Sequence, residues 1–94
     1  MTKSQLIDAV AASSGLTRKN AEEVVTTIFA SMSNALIRGD RIEIRGFGSF
    51  KTKHYAPYLG RNPKTGEPIE VAAKILPVFK VGRELRDRVL KGKQ

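Results

Sequence analysis

Apolar residues recur at spacings of three and four along the first forty positions of this 94-residue chain, and from Arg41 onward at a spacing of two. That change of period separates a helical part from a strand part. Leu6, Ile7, Val10 and Ala11 form a first stripe. Thr2 with Gln5 three residues later has the form of a capping box ahead of it, and Gly15 stops it. The spacing predicts a first helix over about residues 3–14. Ala21, Val24, Val25, Ile28, Phe29, Met32 and Leu36 form a second stripe, which follows Thr17, a good N-cap, and runs to Gly39. At 1.5 Å per residue this helix is about 30 Å long. Its apolar face is wider than the short first helix can cover, so burial against a sheet, a second subunit or both is expected.

In the strand part, Ile42 and Ile44 point one way and Arg41, Glu43 and Arg45 the other. Gly46-Phe47-Gly48 reads as a tight turn, either a plain hairpin connection or one whose amides approach a phosphate. Lys51 stands where a dinucleotide fingerprint needs its third glycine. Beyond the turn Ser49, Lys51, Lys53 and Tyr55 share one strand face, and Phe50, Thr52 and His54 the other. Residues 56–72 hold three of the four prolines and few large apolar groups, so the segment cannot bury a core of its own. Its ends still alternate, and it reads as a projecting arm; an extended chain from Lys53 to Pro63 reaches about 33 Å. Val71, Ile75, Leu76, Val78 and Phe79 return to the sheet. Gly82 opens a last helix with Leu85, Val89 and Leu90 inward and Arg83, Arg86, Arg88 and Lys91 outward. The class expected is α+β, as one domain over residues 1–94: a helical part to residue 40, a sheet with an arm near 55–72, and a C-terminal helix from 81.

Charge sharpens this picture. The formal net charge is +8, and it is uneven. Residues 1–40 carry four cations (Lys3, Arg18, Lys19, Arg38) against four acids, whereas residues 41–94 carry the other thirteen cations against five acids. No acid lies between Glu43 and Glu67. Cations clustered in this way gain affinity for a polyanion by releasing its condensed counterions. The arm tip, Gly60-Arg61-Asn62-Pro63-Lys64-Thr65-Gly66, sets a rigid pyrrolidine between cations and an amide. Such a tip can place Arg61 and Lys64 near phosphates, offer Asn62 to base edges and drive Pro63 between base steps; as turn dipeptides alone, Asn-Pro and Thr-Gly also make an ordinary polar turn.

Other chemistry is thinly represented. Cysteine is absent, so neither a disulfide framework nor a thiolate metal site is available. The one histidine, His54, has no carboxylate or nucleophile at a recognisable motif spacing, which argues against an enzyme, a cofactor and a small-molecule substrate. Nothing resembles a leader or a membrane span, so a cytoplasmic protein with no membrane partner is expected. The rival reading is an RNA-binding or ribosome-associated module, since positive charge does not distinguish polyanions. Against it, Phe47, Phe50 and Phe79 read as core or turn residues rather than an exposed stacking pair.

Helix, long helix, Gly46-Phe47-Gly48-Ser49-Phe50 and the arm Gly60 to Gly66 together resemble the bacterial histone-like family of HU and integration host factor, over essentially the whole chain. The resemblance implies an intertwined dimer, with itself or with a related subunit, whose two arms embrace double-stranded DNA. It implies minor-groove intercalation by Pro63, groove contacts from Arg61 and Asn62, support from Lys64, Thr65 and Gly66, and phosphate contacts from the amides of Gly46 and Gly48. Lys3, Arg45, Ser49, Lys51, Lys53, Lys74, Lys80 and Arg83 are implied along the saddle and flanks. Val25, Ile28, Phe29, Met32, Leu36, Ile44, Phe47, Phe50 and Phe79 are implied in the dimer core. The implied role is architectural: DNA bending and compaction in the nucleoid, in support of transcription regulation and recombination. The run Arg41 to Arg45 is closer to the integration host factor branch, which uses this strand in site preference, than to typical HU. Family members often carry cations at the positions of Tyr55 and Tyr58. Here the tyrosines are expected to pack across the arm strands or lie against sugars, giving a shallower salt dependence.

Overall fold

The structure, a computed structural model, describes residues 1–92. Helix α1 (Lys3–Ser14) opens on the expected capping box, in which the Gln5 N–H donates to Thr2 Oγ1 and the Thr2 N–H to Gln5 Oε1. It closes on Gly15 in the left-handed region (φ 71°). Helix α2 (Arg18–Ile37) starts on Thr17, whose hydroxyl accepts from the Asn20 N–H. Arg18 fastens the two helices, donating to Asp8 Oδ1 at 2.9 Å and to Ser4 Oγ at 2.8 Å. Between them lie Ile7, Ala21 and Val25, the only buried residues among those described, with Leu6, Val10 and Ala11 packed around them.

Strands β1 (Ile42–Ile44), β2 (Gly48–Tyr55) and β5 (Lys74–Val81) form an antiparallel sheet in the order β1-β2-β5. Strands β3 (Tyr58–Arg61) and β4 (Pro68–Val71) form a separate two-stranded ribbon, the arm. The expected arm of about 55–72 is thus a paired hairpin over 58–71, set off from the sheet by Ala56-Pro57 on one strand and Ala72-Ala73 on the other. Proline supplies no N–H for a ladder, which accounts for the break at Pro57.

The register assigns the sheet two faces. Ile42, Phe50 and Phe79 are in line, as are Ile44, Gly48 and Val81, with Thr52, Pro77, His54 and Ile75 further along the same face. The C-terminal end of α2, at Ser33, Leu36 and Ile37, borders a cleft with Thr52, Ile75 and Pro77 on that side. Phe79 packs between Phe50 and Phe47, with ring centroids 4.7 and 5.5 Å apart. Gly48 makes this packing possible: a Cβ there would stand 2.5 Å from the Lys80 carbonyl oxygen and 2.6 Å from the Phe79 ring.

Helix α3 (Arg83–Gly92) is hung from the β1–β2 turn, the Gly82 N–H donating to the Phe47 carbonyl at 2.8 Å and the Gly82 carbonyl accepting from Arg86. Leu85 is half-buried, but Val89 and Leu90, expected inward, are 52% and 64% exposed. None of the described residues lies over that end of the helix to receive them.

The accessible surface is 7954 Å², against roughly 5,400 Å² for a compact monomer of this mass. The radius of gyration is 18.9 Å, where a compact chain of this length has roughly 12 Å. Ile28, Phe29, Ile44, Phe47 and Phe79 are all exposed, and Met32, Leu36 and Phe50 half-buried. Val25, also expected in the dimer core, is already 2% exposed in the single chain, because α1 covers its side of α2.

Candidate nucleic-acid interface

The face opposite the aromatic cluster carries the charge. Glu43, Ser49 and Lys80 are aligned across the three strands, and Lys51, Lys53, Tyr55 and Lys74 continue the same face along β2 and β5. Arg41 and Arg45 flank β1, one at each end. A shallow groove at the β1 end is lined by Arg41, Glu43, Arg45, Gly46, Ser49 and Lys80. Sequence reasoning omitted Arg41 and Glu43 from the site, although the alternation Arg41, Glu43, Arg45 carried the signal. In the structure Arg41 Nη2 meets Glu43 Oε1 at 2.9 Å, so one acid on the cationic face is neutralised by its neighbour.

The β1–β2 turn closes with the Phe47 N–H on the Ile44 carbonyl at 2.9 Å, and Gly46, at φ 83°, takes the position where a type II turn demands the left-handed region. The Glu84 carboxylate lies against Gly46, with an oxygen 2.8 Å from where a Cβ would stand. The two glycines therefore have different local reasons: Gly46 for backbone shape, Gly48 for ring packing.

At the arm tip, the Asn62 N–H donates to the Glu67 carbonyl at 2.9 Å and the Gly66 N–H to the Asn62 carbonyl at 2.7 Å. Asn62 Oδ1 accepts the Lys64 N–H at 2.9 Å, an Asx turn that wraps around Pro63, and Thr65 Oγ1 accepts from Glu67 at 3.3 Å. Gly66 takes φ 72°. Asn62 and Thr65 thus shape the tip, leaving the Asn62 amide nitrogen for an outside acceptor. Pro63 sits exposed at the apex with Arg61 and Lys64 exposed on either side.

Tyr58 is exposed on the arm, 58% accessible, whereas Tyr55 is half-buried. The Tyr58 ring lies beside Gly60 and Val71, whose atoms a Cβ on Gly60 would meet at ordinary contact distance. Tyr55, half-buried at the arm's root, has Lys53 Nζ 5.3 Å and Lys74 Nζ 5.8 Å from its ring centroid. Lys3 lies apart, in the first turn of α1 beside Leu6 and Phe29 on the helical base, and Arg83 opens α3.

Among the described residues no cluster of His, Asp or Glu has the arrangement of a metal site, and no helix is long and apolar enough to cross a membrane. A helical base, a cationic sheet face and a proline-tipped basic hairpin standing off it define an architectural nucleic-acid-binding protein. The chain belongs to the bacterial DNA-binding protein family, whose profile matches residues 1–90. It is 52% identical over 94 residues to the integration host factor subunit beta of Alkalilimnicola ehrlichii, covering 99% of this chain and 94% of the relative. To the subunit beta of Pseudomonas aeruginosa it is 53% identical over 90 residues, covering 95% and 96%. Among solved structures it is similar to Anabaena HU in a cocrystal with DNA, at 38% identity and a TM-score of 0.86 over 95% of this chain and 97% of the other. Thermotoga maritima HU is similar at 29% identity and a TM-score of 0.65, over 95% and 98%.

Proposed function

We propose that this chain binds duplex DNA as half of a dimer and bends it, two arms entering the minor groove and Pro63 of each wedging between base steps. Its partner is a second copy or a related subunit; the similar proteins from Alkalilimnicola and Pseudomonas are named as subunits. The observation that carries the reading is the locked tip. Three hydrogen bonds around Asn62 hold an exposed pyrrolidine at the apex of a cationic hairpin, so the wedge loses little freedom when it inserts. Unstacking costs a few kcal/mol per step and is useful only if bent DNA meets further cations. Lys51, Lys53, Lys74 and Lys80 share the one sheet face and, with Arg45 in the groove beside Lys80, supply them. Arg61 and the Asn62 amide nitrogen serve the groove, and Lys64 the backbone beside it. The Gly46 turn, Ser49 and Arg83 flank the path of the phosphates, and Lys3 extends it onto the base. Ile28, Phe29, Met32, Leu36, Ile44, Phe47, Phe50 and Phe79 meet the partner. The role is that of a nucleoid-associated protein that compacts DNA and assists transcription regulation and recombination by setting its shape.

Energy transfer across an end-labelled duplex tests the wedge. Pro63→Ala is expected to reduce the bend angle while changing affinity at moderate salt by less than about threefold, because the backbone contacts that dominate affinity remain. A bend equal to that of the wild type would overturn the role of Pro63. Competition with structured RNA completes the test: preference for RNA over bent or nicked duplex would favour the rival module.

A further inference from the structure

We propose that Tyr55 is a positioning residue that fixes the direction of the arm, by holding Lys53 and Lys74 on its ring at the last rung before the arm leaves the sheet. Three observations meet there. Tyr55 and Lys74 are the terminal pair of the β2–β5 ladder, and pairing resumes only at Tyr58 and Val71. The backbone between is Ala56-Pro57 facing Ala72-Ala73, small side chains flanking a residue with no N–H, so no ladder stiffens this joint. Lys53 Nζ and Lys74 Nζ, one from each strand, both lie within 6 Å of the Tyr55 ring centroid.

Two ammonium groups sharing one ring face a mutual repulsion that the ring's quadrupole offsets. The ring thereby ties β2 to β5 at the point where hydrogen bonding gives out. It also holds two cations together at the mouth of the arm, where a duplex backbone entering the saddle has to pass. A third cation at position 55 would add charge but remove the tie. The tyrosine exchanges charge for aim. The latch is a property of the free protein, whereas its use on DNA rests on the bending function proposed above.

Nuclear magnetic resonance of the free protein reads the latch directly. Lys53 and Lys74 side-chain methylene protons are expected upfield of ordinary lysine positions, shifted by the ring current. Tyr55→Leu should return them to ordinary positions and lower the backbone order parameters of residues 58–71 below about 0.6, the range of flexible backbone. Tyr55→Phe, which keeps the ring, should preserve both signals. In energy transfer on the same duplex, Tyr55→Leu should broaden the distribution of bend angles and weaken binding by about threefold, the scale of one exposed cation–π contact. Unshifted lysine protons in the wild type, an arm equally ordered in Tyr55→Leu, or a Tyr55→Phe that behaves as Tyr55→Leu would each overturn the proposal. A wild type that leaves DNA straight while the ring shifts are present would instead overturn the bending function and leave the latch standing.

Discussion

Gly48 shows how little room single positions leave. Its Cα faces the Lys80 carbonyl and the Phe79 ring at distances no methyl can tolerate, and both neighbours are fixed, one as backbone and the other between two aromatics. Gly48→Ala must therefore part β2 from β5 or displace Phe79. Overpacking of this sort costs about 1–3 kcal/mol, and urea unfolding should show the midpoint falling by a corresponding amount. An unshifted midpoint would mean that the ring has somewhere else to go. At the tip, the Asn62 side chain serves geometry through its oxygen, which accepts the Lys64 N–H.

Among elements, the cationic face of β2 and β5 is the one whose contribution salt can measure. Replacing Lys51 and Lys53 together by alanine should weaken binding to every duplex sequence alike and flatten the log-log salt dependence by about 0.9 for each phosphate no longer neutralised. Titrations on two unrelated duplexes at several salt concentrations check this; an unchanged slope would take these lysines off the DNA path. The elements themselves were largely legible beforehand. Both N-terminal helices end where their caps say, because Thr2, Gln5, Gly15 and Thr17 act through local hydrogen bonds that sequence spacing encodes. The face of β2 bearing Lys51 and Lys53 followed from alternation alone. The break at Ala56-Pro57 was not resolved within the arm, since nothing in a strand pattern says where its opposite strand loosens. Sequence spacing also could not show that α1 encloses Val25, or that Val89 and Leu90 stay uncovered, because both depend on which bodies meet in space.

The whole molecule is extended, 58 by 35 by 27 Å, with a core of three small or medium side chains. Its surface exceeds that of a compact monomer by roughly 2,500 Å², part of it the arm and the rest of the order that one partner buries in an obligate dimer. Folding and association should accordingly be a single event. Native mass should report two chains, and the thermal midpoint should climb with concentration, each tenfold increase adding about 1.4 kcal/mol of apparent stability. A midpoint indifferent to concentration would show that the lone chain stands unaided. Mixing with a related subunit and weighing the product distinguishes self-pairing from cross-pairing.

So slight a core also bears on life inside a cell. A copy without its mate leaves Ile28, Phe29 and Phe79 bare, and is expected to unravel more readily and to be open to degradation for as long as it stays single. Where the mate is a different polypeptide, turnover of such orphans would trim each to the supply of the other, and the amount of working clamp would track the scarcer member.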